Sequence, residues 1–198
     1  MLTNKHLAIV ALIVAALCIA CSSNSPSVNA KAASAAHESI PVDQYTQSPR
    51  RVSTRTRLDK SLAEVWEYLS DHNNLLEYSD GVLGNVTVDT TLADSDGVGV
   101  KRVCETADGS GRFVERVVYS EPPYAFAYVL SKNTWGLKDY LATVSLDPIS
   151  ESATIVQWDL YFDHVQPDMI PQMTMNMEGM MKGRMLPYLT RKFGGTIL

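Results

Sequence analysis

No basic run occurs anywhere in this sequence, and a net charge of -5 with a pI near 5.3 leaves no positive face for a nucleic-acid partner. The usual signatures of catalysis are missing as well. There is no Ser/His/Asp set, no His/Cys metal spacing and no Gly-rich phosphate loop, so no cofactor and no metal centre is expected. Histidine is scarce: His37 falls in a polar stretch, His72 follows a helix and His164 ends a strand, none with an evident ligand partner. Cysteine is scarcer, with Cys18, Cys21 and Cys104.

The first two cysteines belong to an N-terminal leader. Lys5 and His6 precede LAIVALIVAALCIA, an apolar run too short to span a bilayer comfortably and suited to a secretory signal. Small residues then lead into Cys21-Ser22-Ser23, which resembles a bacterial lipoprotein cleavage box with Cys21 as the lipidated residue. The expected boundaries are a signal peptide over 1–21, a flexible tether over 22–50 and a folded domain over 51–194. The tether is Ser-, Ala-, Asn- and Pro-rich with few large apolar residues. Lipidation would place the protein at the cell envelope, anchored on the periplasmic side of the outer membrane; secretion with cleavage farther on is the alternative. Only Cys104 then remains in the domain, so no internal disulfide can form.

The domain opens with β-branched alternation over 51–58. Ser61 and Glu64 form a capping box, and Leu62, Val65, Trp66 and Leu69 make one apolar stripe behind it. A second short helix is expected over 73–78. Strand patterns follow over 81–90, 98–106, 112–119, 124–132, 138–146 and 153–163, joined by the turns ADGSG, SEPP, NTWGL and PISES. Connections this short require antiparallel pairing. The chain closes on QPDMIPQMTMNMEGMMKGRMLPYLTRKF, where Met169, Ile170, Met173, Met177, Met180, Met181 and Tyr188 share one side of a helical wheel. Every methionine except the first lies between Met169 and Met185. Thioether chains are unbranched and polarizable, and they repack around neighbours of different shape.

DKSLAEVWEYLSDHNNLLEY, GVGVKRV, FVERVVYSEPP, ATVSLDP and SATIVQWDLYF, in this order and spacing, resemble the helix-grip superfamily known as SRPBCC or START-like, in its polyketide cyclase/dehydrase branch. The resemblance covers essentially all of the expected domain. It implies an α+β fold: a seven-stranded antiparallel sheet wrapped around a long C-terminal helix, two short helices after the first strand, and an apolar cavity between sheet and helix. Members include lipid carriers and cyclases, so the fold leaves the activity open.

Strand alternation aims Val156, Trp158, Leu160 and Phe162 inward, with Tyr124, Phe126, Tyr128 and Leu130 on another strand and Tyr140, Ala142, Val144 and Leu146 on a third. Two strands carry charges on their inward faces: Val98, Val100, Arg102, Cys104 and Phe113, Glu115, Val117, Tyr119. A four-residue turn sets Cys104 opposite Phe113 and Arg102 opposite Glu115, which gives each charge a partner. Arg184 falls amid the Met side of the helix, either snorkelling to solvent or anchoring an acidic group. Trp135, at a turn tip, is placed at the cavity mouth or packs on its own hairpin.

The expected ligand contacts are therefore Phe113, Tyr128, Trp158, Phe162, Met173, Met177, Met180, Met181 and Arg184. The partner expected is a hydrophobic small molecule or lipid, besides the membrane that would hold the anchor; the oligomeric state is open. Two functions compete: a non-catalytic binding protein, and a cyclase or dehydratase using Glu115 and Arg102 in the same cavity. A copper site on Met173, Met175 and Met177 is disfavoured, because Met175 faces away on a helix.

Overall fold

The structure is a computed structural model, and it describes residues 39–198. The leader, Cys21 and the tether up to residue 38 lie outside the described residues. Eight strands form one antiparallel sheet: β1 (Arg50–Leu58), β2 (Leu83–Asp89), β3 (Lys101–Thr106), β4 (Arg112–Glu121), β5 (Ala125–Asn133), β6 (Leu137–Ser150), β7 (Ala153–His164) and β8 (Gly195–Ile197). Their spatial order is β2-β3-β4-β5-β6-β7-β1-β8. Helices α1 (Leu62–Ser70) and α2 (Leu75–Tyr78) follow β1, and a long C-terminal helix precedes β8. Among the described residues no helix is long and apolar enough to cross a membrane.

The sheet has one strand more than the seven expected. β8 is three residues long, too short to show alternation, and it reaches the edge of β1 through Gly194 and Gly195 at φ of 74° and 113°. A Cβ on Gly195 would lie 1.9 Å from the Arg57 carbonyl oxygen, so only glycine fits that approach. β3 starts at Lys101 rather than 98, because Gly97 and Gly99 both hold positive φ and turn the chain first.

The described structure also includes residues before the expected boundary at 51. Val42–Gln44 forms a 3-10 turn, and Thr46 and Ser48 are buried. Asp139, itself at φ 48°, accepts hydrogen bonds at Oδ2 from the Gln47 and Ser48 amides and from the Ser48 hydroxyl, while its carbonyl accepts from Thr46. Short polar residues that read as linker here serve one carboxylate on β6.

The capping box on α1 forms as expected, Ser61 Oγ accepting from the Glu64 amide and Glu64 accepting from the Ser61 amide. Burial follows the alternation: Val156, Trp158, Leu160 and Phe162 on β7, and Ala142, Val144 and Leu146 on β6, are all inside, so the concave face is a continuous apolar floor.

The helix across that floor is not uniform. α3 (Ile170–Met180) passes through a π turn (Met181–Met185) into α4 (Leu186–Phe193). A row of buried positions, Met173, Met177, Met181, Met185 and Leu189, runs four apart, with Leu186 buried beside it. An ideal α-helix drifts about 40° for each such step. The wider π turn takes up part of that drift and keeps the row on the sheet. It also accommodates Pro187, which has no amide hydrogen to give to the carbonyl four residues back; the Leu186 amide instead donates to the Met181 carbonyl. The change of pitch thus falls one turn before Pro187.

Candidate functional site

Between the sheet and the helix lies a cavity of about 70 Å³. Cys104 on β3, Phe113 and Glu115 on β4, and Tyr128 and Leu130 on β5 form its sheet wall; Met177, Met180, Met181 and Met185 form its helix wall. Trp135 and Val82 stand at its outer end. A second, outward-facing groove of about 340 Å³ shares Val82, Trp135, Met177 and Met180 with the cavity and adds Asp108, Asn176 and Arg184. Those four shared side chains are the partition between the hollow and the groove.

Five of the expected contacts, Phe113, Tyr128, Met177, Met180 and Met181, do line the cavity, and four do not. Trp158 and Phe162 are fully buried core: the Trp158 Nε1 donates to the Tyr128 hydroxyl at 3.3 Å, behind the cavity wall. Met173 packs one turn beyond it, and Met169 is exposed. Arg184 is exposed in the outer groove, because the π turn carries it off the buried row where a regular helix would have put it. Met175 is also exposed while Met173 and Met177 are buried, so the three thioethers do not converge.

Trp135 packs back rather than standing free. Its ring meets Phe113 edge-on at 4.4 Å and lies over Gly111, where a Cβ would come within 2.7 Å of the indole nitrogen. His164 fixes the loop from below, Nε2 donating to the Trp135 carbonyl and Nδ1 accepting from the Gln166 amide. Trp135 therefore has both expected placements, on the hairpin and at the mouth.

The inward charges are in the register expected. Arg102 pairs across the strands with Glu115 and Cys104 with Phe113. Arg102 is 1% exposed, and its Nη2 sits 2.8 Å from Glu115 Oε2. That contact is ionic and poorly aligned for hydrogen bonding; among the described residues Nε has no acceptor. Burial opposes the guanidinium charge, but the neighbouring Glu115 carboxylate raises its pKa above the usual value. The Tyr128 ring lies 4.2 Å from the guanidinium carbon, a cation–π contact inside the core.

Sequence reasoning missed His72. It is buried between α1 and α2, its Nδ1 3.2 Å from Arg102 Nη1. Burial first, and then the Arg102 charge, lower its pKa to about 3, so it is neutral and accepts the arginine hydrogen. No spacing rule relates a turn residue at 72 to a strand residue at 102. Cys104 was read as a small buried hydrophobe, and its thiol proves to donate to Glu115 Oε2 at 3.7 Å; burial pushes that thiol's pKa well up, so it stays protonated.

Glu115 is thus held at Oε2 by Arg102 and Cys104, and among the described residues it is the one charged residue on the cavity wall. Among the described residues no cluster of three or more His, Cys, Asp or Glu could hold a metal ion.

A sequence model of the family described as "Polyketide cyclase / dehydrase and lipid transport" matches residues 49–191. No curated relative matches. Among solved structures, a START superfamily protein from Mycobacterium smegmatis superposes with a TM-score of 0.57 at 15% identity, covering 71% of this chain and 97% of that one. A Thermobifida fusca protein gives 0.61 at 17% identity, covering 72% and 92%. Norcoclaurine synthase from Thalictrum flavum, in complex with dopamine and hydroxybenzaldehyde, gives 0.58 at 12% identity, covering 78% and 91%. At these identities the likeness is one of fold.

Proposed function

This chain belongs to the polyketide cyclase / dehydrase and lipid transport family, and from that premise we propose that it is a non-catalytic carrier which holds a hydrophobic small molecule or lipid between its sheet and its C-terminal helix. The observation that carries the reading is the partition. Met177 and Met180 stand between an internal hollow and an open groove, with only Val82 and Trp135 beside them. At about 70 Å³ the hollow has room for about two waters, whereas ligand pockets usually run to about 300 Å³ or more. Loading therefore needs the thioethers to swing toward the groove, and unbranched side chains do this at low cost.

We place the carrier at the bacterial envelope, on a lipid attached to Cys21. A folded carrier held at the membrane by such an anchor can take up a ligand that leaves the membrane while staying close to it. A cyclase or dehydratase in the same cavity is the lesser reading. It asks for an acid and a base placed around a substrate, and among the described residues Glu115 is the one charged group on the cavity wall.

Full-length protein purified from a Gram-negative host under mild detergent should yield, on solvent extraction and mass spectrometry, a stoichiometric apolar compound. Its mature N-terminus should carry acyl chains that Cys21→Ala removes. Protein that comes out empty and fails to take up an apolar naphthylamine dye would refute the carrier reading.

A further inference from the structure

The cavity wall is apolar except for a few groups, and nearly all of those are already engaged. Ser79 Oγ donates to the Leu76 carbonyl and accepts from the Leu83 amide; the Tyr128 hydroxyl accepts from Trp158; the Cys104 thiol donates to Glu115. Glu115 differs. Its Oε2 takes both Arg102 and Cys104, while Oε1 has no partner among the described residues, and the side chain keeps 13% of its surface open. Arg102 does not line the cavity and sits behind the carboxylate at 1% exposure. An entering molecule meets an acceptor oxygen first, with a cation screened behind it.

Resting on the carrier reading, we propose that Glu115 Oε1 selects the ligand class: an apolar body bearing one uncharged hydrogen-bond donor, a hydroxyl or an amide N–H, in preference to a carboxylic acid. Three considerations lead there. A hydrogen bond to an ionised acceptor is stronger than one between neutral groups, so a donor at this point gains more than elsewhere on the wall. A ligand carboxylate would bring a second negative charge against Glu115 in a poorly solvated space. An ammonium would gain Glu115 but carry a net positive charge into a site where Arg102 already holds one and His72 is neutral. A neutral donor satisfies Oε1 without either charge.

Titration calorimetry of the delipidated protein at pH 7 with decanol, nonyl methyl ether and decanoate reads this directly. Decanol should bind about tenfold more tightly than the ether, a difference of about 1.4 kcal/mol for one donor, and decanoate should bind weakest. The double substitution Arg102→Met with Glu115→Leu removes both charges together and should bring decanol and the ether to equal affinity. If that variant fails to fold, the ranking of the three probes on the native chain decides alone. Equal affinity for decanol and the ether in the native protein overturns the proposal while leaving the carrier reading intact. Tightest binding of decanoate also overturns it, and would show that Arg102 swings forward to read the ligand. Binding of none of the three defeats the carrier reading and this proposal with it.

Discussion

Leu58 on β1, Leu69 on α1, Leu146 on β6 and Leu189 on α4 are all fully buried, and together they close one end of the interior. At the other end, Cys104, Phe113 and Glu115 face Met177, Met180 and Met181 around a hollow. Both ends lie under the same helix, whose π turn at Met181–Met185 carries the last two thioethers of the hollow's wall. The contrast is one of side-chain type. Branched aliphatics have few rotamers and pack to crystal-like density, so their end of the grip is rigid. Thioethers opposite a buried ion pair fill space loosely, so theirs can open. One helix thereby serves as a fixed anchor at its C-terminal end and as a movable wall upstream.

The sharpest way to break this contrast is to unbalance the ion pair. Glu115→Leu leaves the Arg102 charge buried with only a neutral His72 and the Tyr128 ring for company, and should destabilise the fold by about 3–5 kcal/mol in urea titration. Adding Arg102→Met to it should recover most of that loss, because two apolar groups need no partners. A single Glu115→Leu protein as stable as the native one would mean that the pair contributes nothing to holding the loose end together.

A smaller effect comes from His72. In the folded protein its pKa is about 3, against about 6.5 in the unfolded chain. Between those values the unfolded chain takes up a proton that the folded chain refuses. The contribution is whole above pH 6.5 and falls as the pH drops, at up to about 1.4 kcal/mol per unit, flattening below about pH 3. From pH 8 to 5 this amounts to about 2 kcal/mol. His72→Asn keeps an acceptor for Arg102 without a titrating group, so the native and variant stability curves should diverge by that amount over the interval. Parallel curves would show that His72 is already protonated in the native state.

The strand pattern, the capping box, the Arg102/Glu115 register and the inward aromatic set were all legible in the sequence, because periods of two and turns of known length fix them locally. What was not legible depends on distant partners. Thr46 and Ser48 look like linker until Asp139 is placed beside them. Trp158 and Phe162 face inward as alternation requires, yet period alone does not say which inward residues border a void. Arg184 was misplaced because a wheel drawn at one pitch cannot anticipate a π turn, although Pro187 three residues on and the four-residue spacing of Met173, Met177, Met181 and Met185 both announce one.

The partition itself gives the smallest change in stability and the most direct reading of the movable wall. Met180 is half-buried, with one side on the hollow and the other on the outer groove. Leucine has a similar volume but a branch at Cγ, so Met180→Leu should cost less than about 1.5 kcal/mol. The branch removes the rotamers by which the chain would swing aside, and stopped-flow uptake of a naphthylamine dye should slow several-fold. Leu186→Met, at a fully buried position of α4, makes the opposite exchange at the rigid end and should leave uptake unchanged. If both variants load at the native rate, ligand enters by some other route and the thioether wall is packing alone; if only Met180→Leu is slow, the door is where the two spaces meet.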